Sequence, residues 1–166
     1  MQQAVEAIKM LTQSDTTRCK QQWRDFVKAH CDEVFQTALL LTADATAAEA
    51  AVTRSIDSLD ISSAPEHADL AAWEKAVVVR SLETSQPPSP TPNSTTRSML
   101  QPGLPRVIQI ERLPRICFVL RMLLGYSTPL CAQILGVEES EIRMLFQMAA
   151  LQLQQKVAGK QEPWSR

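Results

Sequence analysis

The chain has 166 residues, enough for one ordinary domain or two small ones and long enough to bury a hydrophobic core. Apolar residues make up 45% and aromatic residues only 5%, and alanine, leucine and glutamine abound, so the composition favours an all-helical fold over a sheet. The net charge of −1 conceals an asymmetry, because residues 1–96 hold 8 basic and 13 acidic residues whereas residues 97–166 hold 9 and 5. This separation of charge suits a second half that binds phosphate and a first half that binds a basic partner. Solvent-exposed helix faces without any partner give similar net charges.

The cysteines and histidines argue against a disulfide framework, a zinc site and an active site. The four cysteines show no C-x-x-C spacing and lie in or beside apolar helical patterns, which predicts buried, reduced thiols. His30 and Cys31 point about 100° apart on a helix, and no second ligand pair follows them. With two histidines in all and no glycine-rich phosphate loop, the chain is predicted to be neither an enzyme nor a metal- or cofactor-binding protein.

A membrane protein is also not expected. Uninterrupted apolar runs such as Ala38 to Leu41 are far too short to span a bilayer, and no basic-then-apolar leader opens the chain. These features predict a cytoplasmic protein.

The first half reads as three helices after an N-terminal extension at residues 1–20, with a short helix possible at residues 2–11. Apolar residues recur at three- and four-residue steps from about Gln21 to Leu41, which predicts a helix with one buried face. Thr46 to Glu49 reads as the capping box of a second helix, and Ser63 to Glu66, with proline in the first turn, as the start of a third. The predicted first module spans residues 21–85.

A linker is predicted at residues 86–105, with the sequence QPPSPTPNSTTRSMLQPGLP. Six prolines in this stretch forbid regular hydrogen bonding and favour extended segments, and too little apolar surface lies between Gln86 and Ser98 to hold a fold. Two small helical modules joined by a Pro-rich linker are therefore expected.

The second module, predicted at residues 106–157, has the spacing of a helix-turn-helix, and a tail follows at residues 158–166. A short helix is expected to end before Pro114, and an apolar helix to end at Gly125. Ser127 can cap the next helix, and Gly136 supplies the positive backbone angle that a tight turn requires. The inward face of the last helix is assigned to Ile142, Leu145, Phe146 and Ala149.

Motifs in both modules are similar to those of a known family. In the second module these are Leu113-Pro114, Phe118 to Arg121, Leu124 to Ser127, Ala132 to Val137 and Ile142-Arg143, and in the first the stretch from Phe26 to Leu59. The second module resembles region 4 of sigma-70 family factors over roughly forty residues, and the first resembles region 2 of their extracytoplasmic-function group. The order of the two regions also agrees with that group.

The resemblance implies a transcription initiation protein that binds core RNA polymerase and promoter DNA. For this chain it assigns polymerase binding to Glu49, Val52 and Arg54. It assigns base contacts to Arg143 and Gln147, and phosphate contacts to Arg121, Arg115 and Ser140.

Departures from the family pattern leave an alternative function open beside the first. The recognition helix begins among Glu138, Glu139 and Glu141, and between Arg143 and Lys156 it carries no cation. Few cations near phosphate mean weak DNA binding, although glutamates also favour a helix N-terminus through its dipole. Trp73 lies on an apolar stripe and is more often a core residue than a base-stacking platform.

The last helix also carries more apolar residues than a core stripe needs, in Met144, Leu145, Phe146 and Met148. Such a surface suits an anti-sigma-like protein, another region of this chain or a second copy. The alternative is thus a degenerate sigma-like protein that has lost promoter binding and acts through protein–protein interaction.

Overall fold

The computed structural model describes residues 2–83, 98–102 and 104–158, and every regular element in these ranges is helical. The elements are α1 (Gln2–Thr42), α2 (Ala45–Ile56), α3 (His67–Glu83), a 3-10 helix (Leu104–Gln109), α4 (Arg112–Phe118), a π-helical turn (Val119–Leu123), α5 (Thr128–Leu135) and α6 (Glu139–Ala158). The expected all-helical fold is confirmed. Most of the predicted linker at residues 86–105, and all of the predicted tail after Ala158, lie outside the described residues.

The first helix is longer than predicted. It begins at Gln2 and not near Gln21, because no glycine or proline interrupts residues 2–42. It ends where Ala43 turns into the left-handed region with a φ of 58°. The Ala43 amide then donates to the Leu39 carbonyl at 2.8 Å, and the Thr42 hydroxyl to the Ala38 carbonyl at 2.8 Å.

The next two helices begin at residues other than those predicted. Asp44, in extended backbone, caps α2 by accepting from the Ala47 amide at 2.8 Å, so the expected Thr46–Glu49 capping box is wrong. An aspartate placed directly after the left-handed residue supplies the cap two positions earlier. The third helix begins at His67, after Pro65, and the Asp69 carboxylate accepts from the Glu66 amide at 2.7 Å.

Trp73 is the centre of the core in the first half. It is fully buried, and its Nε1–H donates to the Ser55 hydroxyl at 2.8 Å, which in turn donates to the Val52 carbonyl at 2.6 Å. The Phe26 ring lies 6.3 Å from the Trp73 ring and 5.3 Å from the ring of Trp23. The interpretation of Trp73 as a core residue is confirmed.

The helix boundaries around Pro114 also differ from those predicted. Residues 104–109 form a 3-10 helix, and Pro114 lies within the first turn of α4 and does not end a helix. Proline is tolerated there because amides of the first turn have no partner within the helix. The π-helical turn closes when the Leu124 amide donates to the Val119 carbonyl at 3.1 Å, and Gly125 follows with a φ of 68°.

The two halves pack against each other around the C-terminal end of α1. The side-chain amide of Gln36 donates to the Met99 carbonyl at 2.7 Å and accepts from the Gln101 amide at 3.3 Å. Leu100 and Val107 are buried in the same apolar cluster as Leu41 and the rest of the first-half core. The predicted modules therefore share one hydrophobic core.

Candidate functional site

The turn between α5 and α6 follows from local sequence signals. The Ser127 hydroxyl accepts from the Leu130 amide at 3.4 Å, and Pro129 lies in the first turn of α5. Gly136 ends α5 with a φ of 66°, and the Val137 amide donates to the Ala132 carbonyl at 3.1 Å. The predicted roles of Ser127 and Gly136 are confirmed.

Replacing Gly136 by alanine is expected to lower the free energy of unfolding by about 1 kcal/mol. A Cβ at this position meets no atom within 4 Å, so the loss comes from the positive φ alone. Urea denaturation measures it. Gly136→Asn is the matched control and is expected to lose less, because asparagine tolerates the left-handed region. Equal losses in the two variants would contradict this account.

The inward face of α6 holds the helix on the second half. Ile142 and Ala149 are fully buried, and Leu145 is nearly so. The Phe146 ring stacks on that of Phe118, with centroids 6.2 Å apart and an angle of 13° between the planes. The predicted inward face is confirmed.

The opposite face of α6 is apolar as well. Met144 is 52% exposed, Met148 37% and Leu151 57%. Because a helix has about 3.6 residues per turn, Leu151 lies two and a half turns from Ile142 and thus on the far side of the helix. We call Met144, Met148 and Leu151 the outward stripe. Leu151 was not predicted, although its spacing from Met144 and Met148 is the signal that finds it.

Polar residues lie along one side of the outward stripe. Ser140, Arg143 and Gln147 are exposed. The Arg143 guanidinium is engaged by the Glu139 carboxylate at 3.2 Å, one turn earlier. The cation predicted to read DNA is therefore partly neutralised within its own helix.

Arg115 is buried, so the phosphate contact predicted for it has little exposed surface available. The residue is only 5% exposed, and its guanidinium donates to the carbonyls of Ile108 at 3.3 Å, Ile110 at 3.1 Å and Leu41 at 3.4 Å. Burial, with a smaller contribution from Arg112, lowers the pKa of Arg115 to about 10. Arg115 joins the end of α1 to the start of the second half.

Arg121, the other predicted phosphate-contacting arginine, is half-buried. Its guanidinium carbon lies 5.1 Å from the centre of the Phe146 ring. Its Nε is buried and has no hydrogen-bond partner among the described residues. The side chain thus packs on the aromatic pair that holds α6, which leaves only part of it accessible.

The residues predicted to bind polymerase divide between surface and core. Glu49 and Arg54 are exposed on α2. Val52 is buried against the first-half core, so the polymerase contact predicted for it has little exposed surface available. The apolar side chain at this position serves the packing of α2.

The cysteines are free thiols of two kinds. Cys117 and Cys131 are buried as predicted, whereas Cys19 and Cys31 are half-buried. Burial is the main reason why the pKa of Cys117 is raised to about 11, and burial also raises that of Cys131. Both buried thiols therefore form the nucleophilic, metal-binding thiolate less readily than an exposed thiol does.

Neither a metal cluster nor a membrane span is found in the part of the chain that the structure describes. No three His, Cys, Asp or Glu side chains there converge as metal ligands would, and His30 packs 4.9 Å from the Phe26 ring. None of the described helices combines the length and apolar character that crossing a bilayer requires.

Comparison of the chain with protein-family models, with curated proteins and with solved structures finds no match in any of the three.

Proposed function

We propose that the chain is a sigma-factor-like protein that acts through protein–protein interaction and does not read promoter DNA. The observation that carries this proposal is the outward stripe. A recognition helix presents its outward face to the major groove, where base edges are read by hydrogen bonds. In α6 that face carries Met144, Met148 and Leu151, which offer apolar contacts and no charge, with exposed Ser140 and Gln147 beside them.

The charges around the outward stripe support the same proposal. Glu138, Glu139 and Glu141 stand at the N-terminal end of α6, and Arg143 is paired with Glu139. Affinity for DNA depends on cations that replace the counterions of the phosphates, and acidic groups at the same surface oppose it. Arg115, buried at the junction of the two halves, adds no cation to this surface.

DNA binding measured against salt concentration tests the proposal. We expect the full chain to bind duplex DNA no more tightly than about 10 μM at low salt, with a salt slope of about −1 or smaller in magnitude. Arg143→Ala is expected to change this affinity less than about twofold, because one exposed arginine already paired with a glutamate adds little. Fluorescence anisotropy of a labelled duplex gives both quantities. Submicromolar binding with a steep salt slope that Arg143→Ala weakens would contradict the proposal.

A second candidate function is that of a promoter-binding sigma factor of the extracytoplasmic-function type. It is favoured by Ser140, Arg143 and Gln147, which are all exposed on one side of α6, and by exposed Glu49 and Arg54 on α2. A pull-down with purified core RNA polymerase at low salt tests it, since polymerase binding is the minimum requirement of a sigma factor. This candidate requires retention that Arg54→Glu weakens and that Arg24→Glu, a change at an exposed arginine of α1, leaves intact. No retention would exclude it.

A further inference from the structure

The outward stripe has the spacing that fits a second helix. Met148 follows Met144 by four residues and Leu151 follows Met148 by three. Alternating steps of three and four residues keep side chains on one line along a helix, and two helices pack along such a line in left-handed coiled coils. Glu141 and Gln155 continue the same line at its two ends, so the line is apolar in the middle and polar at both ends.

The charges of α6 decide which helix can lie there. No charged residue occurs between Arg143 and Lys156, so a second copy of this stretch meets no like charge over its apolar part. Glu138, Glu139 and Glu141 are confined to the N-terminal end. A parallel pair would bring the two glutamate clusters together, whereas an antiparallel pair places them at opposite ends of the complex.

The positions along α6 also match those of a second copy running in the opposite direction. With a two-fold axis at Met148, Met144 of one copy lies within one residue of the level of Leu151 of the other copy. Glu141 is seven residues before Met148 and Gln155 seven after it, so the Gln155 side-chain amide can donate to the Glu141 carboxylate across the pair. Each copy thus contributes both a Glu141 acceptor and a Gln155 donor, and the two contacts are equivalent, as in a two-fold symmetric interface.

We propose that two copies of this chain associate through antiparallel pairing of their outward stripes. This inference rests on the proposed function, in which the same surface binds protein, and it names a second copy as the partner. Three exposed side chains cover much less than the roughly 800 Å² per partner of a standard interface, so the dimer is weak, with a dissociation constant of about 10–100 μM.

Sedimentation velocity of the full chain from about 5 to 500 μM, a range that brackets this affinity, tests the inference. The wild-type chain is expected to shift from monomer to dimer with concentration. Met148→Glu brings two carboxylates together at the two-fold axis and is expected to keep the chain monomeric. An equimolar mixture of Met148→Glu and Met148→Lys chains is expected to restore the dimer, because opposite charges then meet at the axis. Met122→Glu, at a methionine that is 58% exposed outside α6, is the matched control and is expected to behave as wild type.

A wild-type chain that stays monomeric throughout this range would overturn the inference, as would a dimer that Met148→Glu does not weaken. If the mixture of the two charged variants fails to dimerise, the two-fold axis does not lie at Met148. Oligomers larger than a dimer would show that the interface does not form a closed two-fold pair. A monomer that also fails to bind DNA overturns only the inference. Submicromolar binding of duplex DNA in the fluorescence-anisotropy titration would instead overturn the proposed function itself.

Discussion

Replacement of Trp73 by alanine is expected to lower the free energy of unfolding by about 4 kcal/mol. The indole is fully buried between α1 and α2, and its Nε1–H donates to the Ser55 hydroxyl at 2.8 Å. The change removes the largest fully buried side chain of the described residues and leaves a cavity that the surrounding helices fill only in part. Urea denaturation followed by circular dichroism measures the loss.

Two further variants separate the contributions of Trp73. Trp73→Phe keeps an aromatic ring but removes the donor to Ser55, and we expect a loss of about 1–2 kcal/mol. Val79→Ala, at an exposed position of the same helix, is the control and is expected to cost less than about 0.5 kcal/mol. A Trp73→Ala variant as stable as Val79→Ala would show that Trp73 is not the centre of the core.

Replacement of Arg115 by methionine is expected to cost about 3 kcal/mol. Methionine fills much of the same space, but the carbonyls of Leu41, Ile108 and Ile110 lose their shared donor. Buried carbonyls without partners are costly, and the hydrogen bond to Leu41 crosses between the two halves. Thermal and urea unfolding measure the loss, and increased amide exchange at residues 104–110 would show its location.

Arg106→Ala, at an exposed arginine of the 3-10 helix, is the control for Arg115 and is expected to cost less than about 0.5 kcal/mol. Arg115→Lys keeps the charge but replaces the planar fork of donors by a single ammonium group, and we expect about half the loss seen with methionine. If Arg115→Met were as stable as Arg106→Ala, the three hydrogen bonds of Arg115 would not stabilise the junction of the two halves.

Local signals in the sequence predict the fold best where they act within a few residues. Ser127 and Gly136 specify the start and end of α5 because a capping hydroxyl and a positive φ each act at one position. The start of α2 is harder, since Asp44 and Thr46 are both good caps and the choice depends on where α1 ends. The π-helical turn at Val119–Leu123 has no local signal that distinguishes it from an α-helix.

Residue roles at the candidate site were less predictable, because burial depends on contacts between distant parts of the chain. Arginine is mostly found at protein surfaces, but here Arg115 meets the end of α1, 74 residues away in sequence. Val52 likewise continues the inward face of α2 and packs on the core. By contrast, the excess of apolar residues on α6 was visible in the sequence, and the structure shows that Met144 and Met148 are the exposed ones.

The most direct test of the central claim is nuclear magnetic resonance of methionine methyl groups in the full chain. Met144 and Met148 report on the outward stripe, and Met99 and Met122, which are exposed elsewhere, serve as internal controls. We expect the resonances of Met144 and Met148 to shift as the protein concentration rises and to stay in place when duplex DNA is added to dilute protein. Shifts of these two resonances on addition of DNA, with no dependence on protein concentration, would contradict the claim that the outward face of α6 binds protein.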